Sequence, residues 1–167
     1  MSTVNDASLT GLFRYDGWAN ARSFVAAAAA PAAARSAGVT RTLFELLTHL
    51  TSTEEGYLQL LRGSVDATLA QRRSWYRALD GDFARLEERS RQVSDDYLAL
   101  LATSGSTDLE RRVSIPWLQT EMSVREALLQ VLVHSIEHRA DLSTVLTQNG
   151  VPPPALDFVF WIADGRP

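Results

Sequence analysis

Residues 123–150 constrain this chain more than any other stretch. Ser123-Val124-Arg125-Glu126 has capping-box form: a Ser side chain accepts from the backbone three residues on, and a Glu returns the bond. Gly150 stands where the left-handed residue after a helix is expected, and Pro152, Pro153 and Pro154 enforce the stop. Between these signals lie about 26 residues, close to 39 Å of helix at ~1.5 Å per residue. Ala127, Val131, Leu142 and Val145 recur on one face and mark it as the buried stripe.

Three further segments carry the same helical period. In residues 8–30, Leu9, Leu12, Phe13, Ala19 and Phe24 share a side, and Asp16 and Asn20 fall among them, which is unusual for a core face. Pro31 and Gly38 then mark a break and a loop. Thr42-Leu43-Phe44-Glu45 is a second capping box, opening a helix that runs to about Arg62 and stops at Gly63. On it Leu46, His49, Leu50, Thr53 and Leu60 share a broad face. The next helix runs from Asp80 or Asp82 to Ala102, with Phe83, Leu86, Val93, Tyr97, Leu100 and Leu101 apolar, and ends at Ser104-Gly105-Ser106. Residues 63–79 are mixed and read as a connector packed through Trp75, Tyr76 and Leu79. Residues 108–120 alternate through Val113, Ile115 and Trp117, as a short strand, a hairpin or an extended crossover; Pro116 weakens any central strand. Leu156 to Ile162 reads as a short final helix. Four amphipathic helices of some 20 residues predict an all-α chain, a four-helix bundle in a single domain over residues 1–167. Two of its connections are long, so the topology need not be simple up-down-up-down.

Composition excludes several kinds of chemistry. The chain has 167 residues and no cysteine, which removes disulfides, thiolate metal sites and a cysteine nucleophile. All 16 basic residues are arginine, so Schiff-base and phosphate-loop lysines are excluded too. A net charge of −4 argues against a general nucleic-acid binder. The most apolar run, Val25 to Ala34, is interrupted by Pro31 and too short to span a bilayer. No secretory pattern opens the chain, and a cytoplasmic location is expected.

Three histidines remain. His134 and His138, spaced i, i+4, stand one turn apart on the core face of the last long helix. His49 lies mid-helix on the apolar face of the second, within reach if those helices are neighbours. A lone inward histidine is usually a satisfied core residue. Two stacked imidazoles without a shared ligand would repel on protonation and leave buried donors to satisfy, so the set of three points to a metal. Three neutral donors leave a divalent ion its full charge and at least one open position, for water or a substrate thiol. Imidazole suits zinc, nickel, iron or copper. Asp141, seven residues after His134, is the candidate to orient a ligand histidine or act as a base; pairing with an arginine such as Arg139 at the rim is the plainer alternative. Glu45 is explained by its capping box, and Glu137 lies off the stripe and reads as solvated.

These residues resemble the DinB/YfiT superfamily of bacterial four-helix-bundle proteins, over nearly the whole chain. The resemblance rests on Tyr15-Asp16-Gly17-Trp18-Ala19-Asn20, on Thr42 through His49-Leu50, on His134-Ser135-Ile136-Glu137-His138-Arg139-Ala140-Asp141-Leu142, and on Gly150-Val151-Pro152-Pro153 followed by Asp157. It implies a bundle with noncanonical connection order, often a homodimer, and a metal on His49, His134 and His138. It also implies a thiol S-transferase using a low-molecular-weight thiol of the bacillithiol or mycothiol type. Ala140 and Asp141 depart from the Gly and Gln usual in the family, which bears on substrate-facing detail and not on the ligands.

The expectation is a metal-dependent S-transferase taking a small thiol and an electrophilic small molecule, with one divalent transition metal (zinc, nickel, iron or manganese). Asp16 and Asn20 are expected to line its pocket, the plainer alternative being a buried hydrogen-bond pair that joins helices. Metal-dependent hydrolysis and a non-enzymatic metal- or ligand-binding stress protein are the alternatives. A homodimer would meet through apolar residues left exposed on the first and third helices.

Overall fold

The computed structural model describes residues 7–35, 41–63, 65–115 and 118–167. Its long helices are α1 (Ala7–Ala29), α3 (Leu43–Leu61), α5 (Phe83–Thr103) and α7 (Val124–Gln148). Shorter elements fill the connections: α2 (Ala32–Arg35), α4 (Val65–Arg77), α6 (Ser106–Glu110), the strands β1 (Arg112–Ile115) and β2 (Thr120–Ser123), and α8 (Phe158–Ala163).

The capping signals are realised in the structure. Thr42 accepts from the Glu45 backbone and Glu45 accepts from Thr42, so both N-terminal donors of α3 are satisfied reciprocally. Ser123 and Glu126 do the same for α7. At the far end Gly150 has φ +70°, its N–H donates to the Thr147 carbonyl at 3.0 Å, and Val151 donates to Leu146 at 2.9 Å. That bond pair is a Schellman stop, and it requires the left-handed residue that glycine supplies without strain.

The bundle does not run simply up and down. α1 packs along α5 and α7, and α3 packs along α7 and α5, so α1 lies across the bundle from α3. The long connections make these diagonal crossings. One of them carries the hairpin β1–β2, antiparallel from Arg112↔Ser123 to Ile115↔Thr120, which settles the open reading of 108–120. Val113 and Ile115 point inward while Arg112 and Ser114 are exposed. Pro116, Trp117 and Gly38 lie outside the described residues. Residues 63–79 are more regular than expected. They hold the helix α4, which ends on the buried Tyr76 and is followed by the buried Leu79.

The core has two apolar clusters. One gathers around Phe13, Tyr57, Leu58, Val93, Tyr97 and Val131; the other around Phe24, Leu43, Leu47, Leu86, Leu142 and Leu146. The residues between them along each long helix are polar and equally buried: Asp16 and Asn20 on α1, Thr51 and Glu54 on α3, Ser90 on α5, Ser135 and Arg139 on α7. A polar layer therefore divides the bundle. Exposed large apolar side chains among the described residues are not where they were expected. α1 carries only Val25, whereas α7 carries Leu129, Val133 and Ile136 and α8 carries Phe158, Val159, Phe160 and Ile162. No helix among the described residues is long and apolar enough to cross a membrane.

Candidate metal centre

His134 and His138 sit one turn apart on α7, and α3 presents His49 to both. His49 Nε2 and His134 Nε2 are 3.2 Å apart. The ring centroids lie 5.1 Å (His49–His134), 4.7 Å (His49–His138) and 4.3 Å (His134–His138) from one another. One ring nitrogen from each residue falls within 4.8 Å of the other two. All three rings are half-buried, so they occupy the flank of the core stripe rather than its centre. The centre belongs to Leu128, Ser135, Arg139, Leu142 and Leu146.

The donor set fits a divalent ion. Two imidazoles bound tetrahedrally at ~2.0–2.1 Å from one ion place their nitrogens about 3.3 Å apart. The His49–His134 separation is close to this; without metal it serves as an N–H···N hydrogen bond between neutral rings. His134 Nδ1 is buried with no hydrogen-bond partner among the described residues, and a metal held at Nε2 would leave it so. Burial holds His49 down at about 4, helped by the charges of Arg41 and His138. Burial likewise holds His134 at about 4, with His138, His49 and Arg41 contributing. Both rings are thus neutral at pH 7 and keep the lone pairs that a cation needs.

Asp141 is placed against the site and not against Arg139. Its Oδ2 lies 3.1 Å from His138 Nδ1. A carboxylate there fixes the tautomer with the proton on Nδ1 and frees Nε2 for a metal. The His138 side chain is 15% exposed and Asp141 61%, so the carboxylate stands on the solvent side of the ring. The rim pairing of Asp141 with Arg139 is overturned. Arg139 points inward, and its Nη1 donates to Asp16 Oδ1 and to Asn20 Oδ1, both at 2.6 Å.

That inward turn exposes residues that the sequence reading passed over. Glu54, 2% exposed, accepts at Oε1 from Ser135 Oγ at 2.7 Å and from Asn20 Nδ2 at 3.0 Å. Next to it the buried Glu55 pairs with Arg89 and accepts from Tyr76 at 2.7 Å. Asp16 and Asn20, expected at a pocket, are 4% and 1% exposed and enclosed in the first network. They are not among the residues lining the groove of about 400 Å³ between α1 and α5. A signal for Glu54 does exist in the sequence. It stands where the stripe Leu43, Leu47, Leu50, Leu58, Leu61 calls for an apolar residue.

A helical bundle with diagonal connections and three histidines converging from two helices defines the class of protein. The model of the DinB family matches residues 1–164, and the chain belongs to that family. Among curated proteins, none matches the chain.

Proposed function

We propose that this protein is a metal-dependent S-transferase that joins a low-molecular-weight thiol to an electrophilic small molecule. The observation that carries the reading is the convergence of His49, His134 and His138 with no fourth His, Asp or Glu of the described residues in the cluster. A divalent ion held there would keep its full charge and an open position, and it would favour the thiolate of an incoming thiol. The chain has no cysteine, so the sulfur has to arrive on the substrate. Asp141 is the exposed carboxylate at the rim, suited both to hold His138 and to accept the thiol proton. The sulfur then forms a bond to the electrophilic carbon, and the leaving group departs with its bonding electrons. Arg41 adds positive charge near His49 and His134, which favours anionic substrates. Zinc, nickel and iron suit the three imidazole donors, manganese preferring oxygen ligands, and mycothiol and bacillithiol are thiols of the right class.

The protein is also proposed to act as a homodimer. Leu129, Val133 and Ile136 repeat at i, i+4, i+7 and form an exposed apolar stripe on α7, which a second copy would cover. Sedimentation of Val133→Glu beside wild type tests it: the variant should be monomeric.

A thiol-consumption assay with an alkylating electrophile tests the activity. Turnover should require thiol, disappear with chelator, and fall in Asp141→Asn. Thiol-independent cleavage of an ester or amide would favour hydrolysis instead. Bound metal without any turnover would favour a binding protein.

A further inference from the structure

The polar layer and the histidines share helices and share a seam. Glu54 follows His49 on α3 by five residues, and Ser135 and Arg139 each directly follow a candidate ligand on α7. Glu54 Oε1 receives one donor from α7, Ser135, and one from α1, Asn20. The Glu54–Ser135 bond crosses between α3 and α7, the same two helices that the His49–His134 contact joins. Sliding or rotating α3 against α7 strains both together.

The charges explain why Glu54 can do this. The layer holds two carboxyl groups, Asp16 and Glu54, and one guanidinium, Arg139, whose Nη1 is committed to Asp16 and Asn20. Among the described residues no cation bonds Glu54. Burial, with the charge of Asp16 beside it, raises Glu54 to about 8, so it is a neutral acid at pH 7; burial raises Asp16 as well, against the opposing pull of Arg139. The other titratable groups around it are Tyr97 of α5, whose hydroxyl donates to the Glu54 carbonyl at 2.7 Å, and Tyr76 of α4.

We propose that Glu54 is a positioning residue of the three-histidine site: its carboxyl group, bonded to Ser135 and Asn20, sets the α3–α7 register that brings His49 to His134 and His138. The proposal rests on the metal-binding reading of that site. Glutamine reproduces both functions of the neutral acid, a carbonyl that accepts and an N–H that donates. Leucine reproduces neither, and Ser135→Ala removes only the bond across the seam.

Titration with Co(II) tests it, reading affinity together with the visible d–d bands that report coordination geometry. Melting of the metal-free proteins is measured alongside. Glu54→Gln should keep wild-type affinity and bands. Glu54→Leu should bind about 10- to 100-fold more weakly, as outer-shell changes do, with displaced bands. Ser135→Ala should change in the same direction by less. Wild-type affinity and bands in Ser135→Ala would overturn the proposal, as would Glu54→Gln displaced as far as Glu54→Leu. Variants that shift only the melting temperature would make Glu54 a structural residue alone. If Glu54→Leu does not fold, the other two variants decide. A wild type that binds no Co(II) removes the metal reading and the proposal together, whereas a wild type that binds beside unaffected variants removes the proposal alone.

Discussion

The histidine cluster on α3 and α7 and the Glu54 layer, which those helices share with α1 and α5, lie within about a turn of each other and answer burial in opposite ways. Both are driven toward neutral forms. The imidazoles lose protons, with His49 and His134 held at about 4, and keep lone pairs that face one another. Glu54 gains a proton, rising to about 8, and its Oε1 accepts from Ser135 and Asn20. The histidines stand half-open to solvent; the layer is closed, and Thr51 Oγ1 and Arg139 Nη2 within it lack a partner among the described residues, as does His134 Nδ1. The comparison teaches where binding capacity resides in such a bundle. It lies where like donors converge at a face open to solvent, and the buried layer behind them ties the helices together.

Breaking the two regions should give opposite phenotypes. The largest effect on the fold is expected from Arg139→Met, which strands the buried Asp16 without its cation. It should cost about 3–5 kcal/mol at pH 7, read as a lowered urea midpoint. His134→Ala should leave helix content and metal-free melting near wild type, since the ring it removes holds an unpartnered nitrogen. Its metal affinity should fall by more than the roughly 100-fold that outer-shell changes reach, checked by elemental analysis. An equally destabilised His134→Ala would erase the contrast.

The pH dependence is subtler and has a definite sign. Glu54 has a folded pKa above its ordinary value of 4.5, so its contribution is full below about 4.5 and is lost as pH rises through about 8. His49 and His134 are depressed below 6.5, so theirs is full above 6.5 and is lost as pH falls through about 4. Between pH 6.5 and 8 the histidine contribution is constant, and that of the buried Glu54–Asp16 pair declines, Asp16 being raised as well. Metal-free wild type should therefore lose about 1–2 kcal/mol across that window, and Glu54→Gln should stay flat. A flat wild-type profile would show Glu54 ionised throughout.

Much of this was legible before any coordinates. The capping boxes at Thr42 and Ser123 and the glycine at Gly150 are local motifs whose chemistry lies within a few residues, and each formed as read. The histidines could be read because i, i+4 spacing converts directly into distance on a helix. Asp16 and Asn20 stood out as polar residues on an apolar face, and their i, i+4 spacing brings Asn20 Nδ2 to 3.4 Å from Asp16 Oδ2; their other partners sit 34 to 123 positions away, and no spacing rule connects those. Arg139 was expected at the rim because arginine is seldom buried without an acid, and that acid lay on another helix. Glu54 hid for the same reason, since a glutamate within a helix ordinarily faces water. In α4, Asp66, Gln71, Arg72 and Arg73 interrupt the apolar pattern, so its helical character was masked by its polarity.

The ligands are also separated in time. His49 and His134 are 85 positions apart, and α3 through α6 have been synthesised before α7 emerges with two of the three donors. A metal ion cannot nucleate such a fold, because closing so long a loop comes only with docking of the last long helix. An ion that binds the finished bundle and not the unfolded chain adds about 2.7 kcal/mol of stability when present at 100 times its dissociation constant. For contacts that form after the transition state, the gain is expected in slower unfolding and not in faster folding. Loading of the candidate site would thus act as a late latch, and the half-life of the loaded protein under heat or protease would report it directly.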